Sequence, residues 1–153
     1  MRNNGKPDFD FVGSNSKMSE QDCAQILVRA QYINSWQNRR EQIRQFYCRE
    51  LADYVICLSD SDVPHSNQKF VVYEPENRNS LHTHMLTSGV ETKVHYNYTL
   101  GELSIADEIT EKPIPISTSY MLMRGVLSLP IYPELTDYEV EFIADTVKKF
   151  YDK

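Results

Sequence analysis

The sequence predicts an α+β domain in which a long N-terminal helix leads into a small, mostly antiparallel sheet with flanking helices. Three observations predict it. Apolar residues from Cys23 to Leu51 recur at spacings of three and four, the helical period. Beyond them, short β-branched or alternating runs at Tyr54–Leu58, Phe70–Tyr73 and Val90–Tyr98 are separated by turn residues. Near the end, Thr136-x-x-Glu139 is a good capping box ahead of a striped last helix. The expected division is a loop at 1–18, a connecting helix at 19–53 and an α+β small domain at 54–153.

The loop at 1–18 is rich in Asn, Gly and Asp. At Ser19 the character changes, because Ser19-x-x-Asp22 is a passable capping box. The helix it opens is predicted to reach Ala52, with a bend near Gln37-Asn38. It is long for a small domain, so it must link parts or pack along its length. Tyr54–Leu58 reads as a short strand, Ser59–Asn67 as a loop, and Phe70–Tyr73 as a buried strand ended by Pro75. Asn79 can cap a short helix over Ser80–Ser88, with Gly89 at its C′ position. Val90, Thr92, Val94, Tyr96 and Tyr98 alternate with polar residues, as a half-buried strand does. Thr99–Pro115 is irregular and acidic, Ser117–Gly125 weakly helical, and Val126–Leu129 extended into Pro130. In the last helix the stripe is Val140, Ile143, Val147 and Phe150.

Composition narrows the function classes. The 153 residues are 41% hydrophobic and 25% charged, ordinary values for one globular domain. A net charge of −6 argues against a nucleic-acid partner, which requires a basic footprint. The densest basic run, Arg39-Arg40 with Arg44, reads as a solvated helix face. No window approaches the roughly 18 apolar residues of a membrane span, and no signal-peptide pattern opens the chain. Cys23, Cys48 and Cys57 form no C-x-x-C pair; the two inside the predicted helix, Cys23 and Cys48, read as small buried thiols, and Cys57, like Cys48, as a structural one. A soluble protein of the cytoplasm, without membrane or nucleic-acid partners, is expected.

The local chemistry offers few sites. His82 and His84 face apart on a helix and have no third ligand nearby, so they read as surface histidines and no metal is expected. Gly13-Ser14-Asn15-Ser16 precedes a helix N-terminus, where an anion is favoured and Asn15 could donate its amide. Turn chemistry accounts for the same residues and is favoured by the pattern alone. His95 ends an alternating strand and opens into a loop. It fits a satisfied strand-end histidine, or a binding group where a strand feeds a loop. No lysine stands out as a Schiff-base former.

Together the pieces resemble a family. "RNNG", then "FVGSNSKMSEQDCAQILVRAQYINSWQNRREQI", is similar to the post-active-site loop and long helix of the DegT/DnrJ/EryC1/StrS sugar aminotransferases, with their R-N-x-G, G-x-N-x-[RK]-[ML] and W-x-x-R-R patterns. "FVVYEPENRNSLHTHMLTSGVETKVHY" resembles their strand, helix and G-[IV]-x-T-x-x-H-Y element. "VLSLPIYPELTDYEVEFIADTVKKFY" resembles their L-S-L-P-x-[YH]-P-x-[LM]-T ending. The resemblance covers nearly the whole chain in the right order. Asn97-Tyr98-Thr99-Leu100-Gly101 departs from it, standing where the family continues toward P-L-H.

The resemblance implies the C-terminal small domain of a fold-type-I aminotransferase. Its upstream domain would carry the lysine that binds pyridoxal phosphate. Asn15 would reach across a dimer to the cofactor phosphate. His95 would line the sugar-nucleotide side, and Lys17 stands where the family has a basic residue on that side. The implied reaction moves an amine from glutamate to a nucleotide-linked keto-sugar, and the chain alone would be inactive. A homodimer, or self-association of the isolated chain, is expected. The rival is a free-standing, non-catalytic interaction module derived from such a domain.

Overall fold

The computed structural model describes residues 17–58, 65–103 and 117–152. Contacts divide the chain into two compact units, Met1–Asn34 and Ser35–Lys153. The first contains α1, Glu20–Ala30. Ser19 caps it as expected, its hydroxyl accepting from the Asp22 N–H at 3.1 Å. No residue of α1 is buried, and Ile26, Leu27 and Val28 are each at least half exposed.

The expected continuous helix is broken, and the break lies at Gln31-Tyr32 rather than Gln37-Asn38. There the Gln31 and Tyr32 N–H groups bond back only three residues, to the Val28 and Arg29 carbonyls, which tightens the last turn. Helix α2 then runs Ile33–Leu51. Neither Gly nor Pro marks the break, and the apolar spacing runs through it, so the pattern could not locate it.

In the second unit, β1 (Ile56–Cys57), β2 (Phe70–Tyr73) and β3 (Val126–Leu129) form an antiparallel sheet in the order β1-β2-β3. Phe70 pairs with Leu129 and Tyr73 with Val126. Strand β1 is shorter than the expected run, because the Tyr54 and Val55 N–H groups both bond to the Leu51 carbonyl and extend the helix end instead. Helix α3 is Arg78–Thr87, and Gly89 takes φ +85° just beyond it, as its C′ position requires. Asn79 does not cap α3. The Glu74 carboxylate does this work from before the helix, accepting from the Glu76 and Asn77 N–H groups at 3.1 and 3.0 Å. A 3-10 turn covers Leu100–Glu102, α4 is Ser117–Gly125 and α5 is Asp137–Tyr151. The capping box of α5 is complete: the Thr136 hydroxyl accepts from the Glu139 N–H, and the Glu139 carboxylate from the Thr136 N–H.

The core lies between α2, the sheet, α3 and α5, through Tyr47, Phe70, Leu81, Leu127, Ile143 and Val147 among others. Each such side chain contributes about 1.5–3 kcal/mol by leaving water. The Tyr47 ring packs 5.0 Å from that of Phe70, and its hydroxyl donates to the Pro130 carbonyl at 3.1 Å. The basic run is not a solvated face. Arg39 donates to the Leu135 carbonyl and pairs with Asp137, Arg40 donates to the Ser66 carbonyl, and buried Arg44 grips Glu41 with two hydrogen bonds. The cysteines also differ from expectation: Cys23 is exposed, and Cys48 and Cys57 are half-buried. Among the described residues no helix is long and apolar enough to cross a membrane.

Candidate functional site

The expected strand at Val90–Tyr98 is reduced to one antiparallel bridge, Lys93 to Ser128. The Ser128 N–H donates to the Lys93 carbonyl at 2.8 Å, and the Lys93 N–H returns a 3.2 Å bond. One reason the ladder stops is that β3 runs into Pro130, which has no N–H to give. Val90 and Thr92 are buried, so the alternation holds at first, but Tyr96 and Tyr98 are each 68% exposed and it fails beyond Val94.

This single bridge builds the site. Lys93 and His95 share a face of the extended run, and Ser128 lies opposite Lys93, hence diagonal to His95. The Ser128 Oγ accordingly meets His95 Nδ1 at 2.8 Å. The His95–Tyr96 peptide is cis, and the Tyr96 ring stands edge-on to the imidazole at 5.4 Å. Burial lowers the pKa of His95, and the cationic Lys69 and Lys93 lower it further. Both effects favour the neutral ring over the imidazolium.

His95 opens on a groove of about 540 Å³, lined also by Lys69, Lys93, Ser128, Ile131, Tyr132 and Phe142. That volume is in the range of a small-molecule site. Tyr132 and Phe142 leave 47% and 40% of their surfaces exposed at its rim. The arrangement combines apolar and aromatic walls with an imidazole, two lysines and two carboxylates, Glu91 and Glu139, and Lys93 pairs with Glu91 at 3.3 Å; its donors can hold an oxygen-rich ligand.

Of the three residues singled out in the sequence, two are described, and of these His95 lines this groove. Lys17 is exposed and belongs to the first unit, just before α1. Asn15 lies outside the described residues. His82 and His84 are not surface histidines. Both are half-buried: His82 Nδ1 shares a 2.6 Å hydrogen bond with the Thr92 hydroxyl, and His84 Nε2–H donates to the Thr146 carbonyl at 3.1 Å. Sequence reasoning missed Ser128. Its only signal was a hydroxyl set inside the apolar run Val126–Leu129.

Comparison with known proteins is consistent along the chain. The model of the DegT/DnrJ/EryC1/StrS aminotransferase family matches residues 1–148. The erythromycin biosynthesis sensory transduction protein EryC1 of Saccharopolyspora erythraea is 27% identical over 138 residues, 89% of this chain and 38% of that protein. The dTDP-3-amino-3,6-dideoxy-alpha-D-galactopyranose transaminase of Aneurinibacillus thermoaerophilus is 26% identical over 142 residues, 92% of this chain and 38% of that protein. In fold, the chain is similar to S. venezuelae DesV, solved in complex with a ketimine intermediate. The TM-score is 0.87 at 23% identity, over 99% of this chain and 41% of that one. The chain thus spans about two fifths of the length of these relatives.

Proposed function

The chain belongs to the DegT/DnrJ/EryC1/StrS aminotransferase family, and on that premise we propose that it is the C-terminal domain of a nucleotide-sugar aminotransferase. The family match across residues 1–148 carries the reading. The whole enzyme would move an amine from glutamate to a nucleotide-linked keto-sugar as a homodimer. Within this chain the parts would be the loop 1–18, the connecting helical segment 19–53, broken at Gln31-Tyr32, and the small domain 54–153.

Aminotransferases of this family depend on pyridoxal phosphate, which supplies the electron sink when bound. The described residues do not by themselves make a site for it. Amine chemistry needs a lysine that is desolvated or charge-tuned. Lys17, Lys69 and Lys93 are exposed, and Lys148 holds its proton more tightly than usual because it donates to Glu50 at 2.7 Å. The cofactor contact proposed for this chain is Asn15, toward the phosphate. The substrate contacts proposed are His95 and Lys17. In the groove His95 would hydrogen-bond an oxygen of the nucleotide-sugar, and Lys69, which has no ion pair among the described residues, would add a cation beside it.

The test uses the purified 153-residue chain with pyridoxal phosphate, glutamate and a dTDP-linked keto-sugar. No 2-oxoglutarate should form, and dTDP should shift the NMR resonances of His95 and Lys93. Turnover by the chain alone, or a dTDP titration that leaves the groove unmoved, overturns the reading.

A further inference from the structure

The groove contains a buried hydroxyl whose role follows from counting donors and acceptors. Ser128 is 7% exposed, inside the most buried strand of the sheet. Its backbone is fixed on both sides, by the β2 register at Val71 and by the bridge to Lys93. Among the described residues its Oγ has a single polar partner, His95 Nδ1 at 2.8 Å. A hydroxyl holds one proton to donate, and a buried donor without an acceptor is costly. If Nδ1 carried a proton it would donate to Oγ, and the hydroxyl proton would find no acceptor among the described residues. If Nδ1 is bare, the hydroxyl donates to it and both groups are satisfied. The tautomer of a histidine is set by the bond that its other nitrogen makes.

We infer that Ser128 is a positioning residue, whose hydroxyl donates to His95 Nδ1 and so fixes the imidazole with its proton on Nε2, the nitrogen left to meet a ligand. His95 therefore enters the groove as a hydrogen-bond donor, suited to an acceptor oxygen such as a phosphate, carbonyl or ether oxygen. The ligand side of this inference rests on the substrate-facing role proposed for His95. The tautomer itself does not.

The test labels the histidines of the full chain with 15N and records two-bond 1H–15N correlations at a pH where His95 is neutral. A bare Nδ1 and a protonated Nε2 are expected. Ser128→Ala should let the other tautomer appear, and Ser128→Thr, which keeps the hydroxyl, should restore the original pattern. In parallel, dTDP serves as the probe ligand. Ser128→Ala should weaken its binding roughly fivefold, the worth of one hydrogen bond, while Ser128→Thr stays near the parent. A protonated Nδ1 in the parent chain overturns the inference even if Ser128→Ala fails to fold. An unchanged tautomer in a folded Ser128→Ala chain does the same. The expected tautomers with no dTDP binding anywhere uphold Ser128's role and count against the substrate-facing reading instead.

Discussion

Gly125 closes α4 against the sheet, and replacing it with alanine tests how tightly that junction is packed. An added Cβ would lie 2.7 Å from Tyr73 Cδ2 and 3.0 Å from the Pro75 Cα, and would press on Tyr73 Cε2 as well. Carbon atoms pack at about 3.5–4.0 Å, so the Tyr73 ring must yield by roughly an ångström. Tyr73 is half-buried and can swing partway, but the Pro75 contact is to backbone. The Gly125 carbonyl also accepts from the Glu74 N–H at 2.8 Å, so moving α4 away would stretch a bond that prolongs the β2–β3 ladder. Overpacking of this kind costs about 1–3 kcal/mol, and the alanine recovers about 0.5–1 kcal/mol by restricting the unfolded chain. The net expectation is a loss of about 1–2 kcal/mol, read by urea denaturation with the slope unchanged. Tyr73→Ala removes the obstructing ring, so the double variant should be more stable than the two single losses added. A Gly125→Ala chain as stable as the parent, or strictly additive losses, would refute the packing argument.

Other groups give sharper or simpler readouts. Arg44 chiefly, with help from Gln45 and Asn67 and against burial, holds the Glu41 pKa down at about 2 from 4.5. A folded-state pKa below the unfolded one adds stability above pH 4.5 that is lost as pH falls toward 2. With 38% of the Glu41 side chain exposed, screening trims this to about 1 kcal/mol. Glu41→Gln should flatten that part of the stability–pH curve, and an unchanged curve would count against the assignment. Tyr151 donates to the buried Glu74 carboxylate at 2.7 Å. Tyr151→Phe should cost about 1–2 kcal/mol in denaturant, because one acceptor loses its partner. Leu81 is fully buried between α3 and the rest of the core. Leu81→Ala should cost about 2–5 kcal/mol, and a smaller loss would mean that the core collapses around the cavity.

The sequence by itself determined much of this protein. The strands Phe70–Tyr73 and Val126–Leu129, the last helix with its capping box, and the turn at Gly89 were legible because each depends on residues within a few positions of one another. The ordered motifs from "RNNG" to "VLSLP" were legible for the same reason, and they led to the family that the comparisons show. Tertiary structure decided what depends on distant partners. Arg39 and Arg40 look solvated until the Leu135 and Ser66 carbonyls, far away in the chain, arrive beside them. Helix α3 is capped by Glu74 rather than Asn79 because β2 delivers that carboxylate to its N-terminus. The histidine singled out at 95 gains its partner from position 128, through a bridge between an aborted strand and β3. A period of two or of 3.6 carries no information about such pairings. They exist only once the hydrophobic core has folded and fixed which backbone lies beside which.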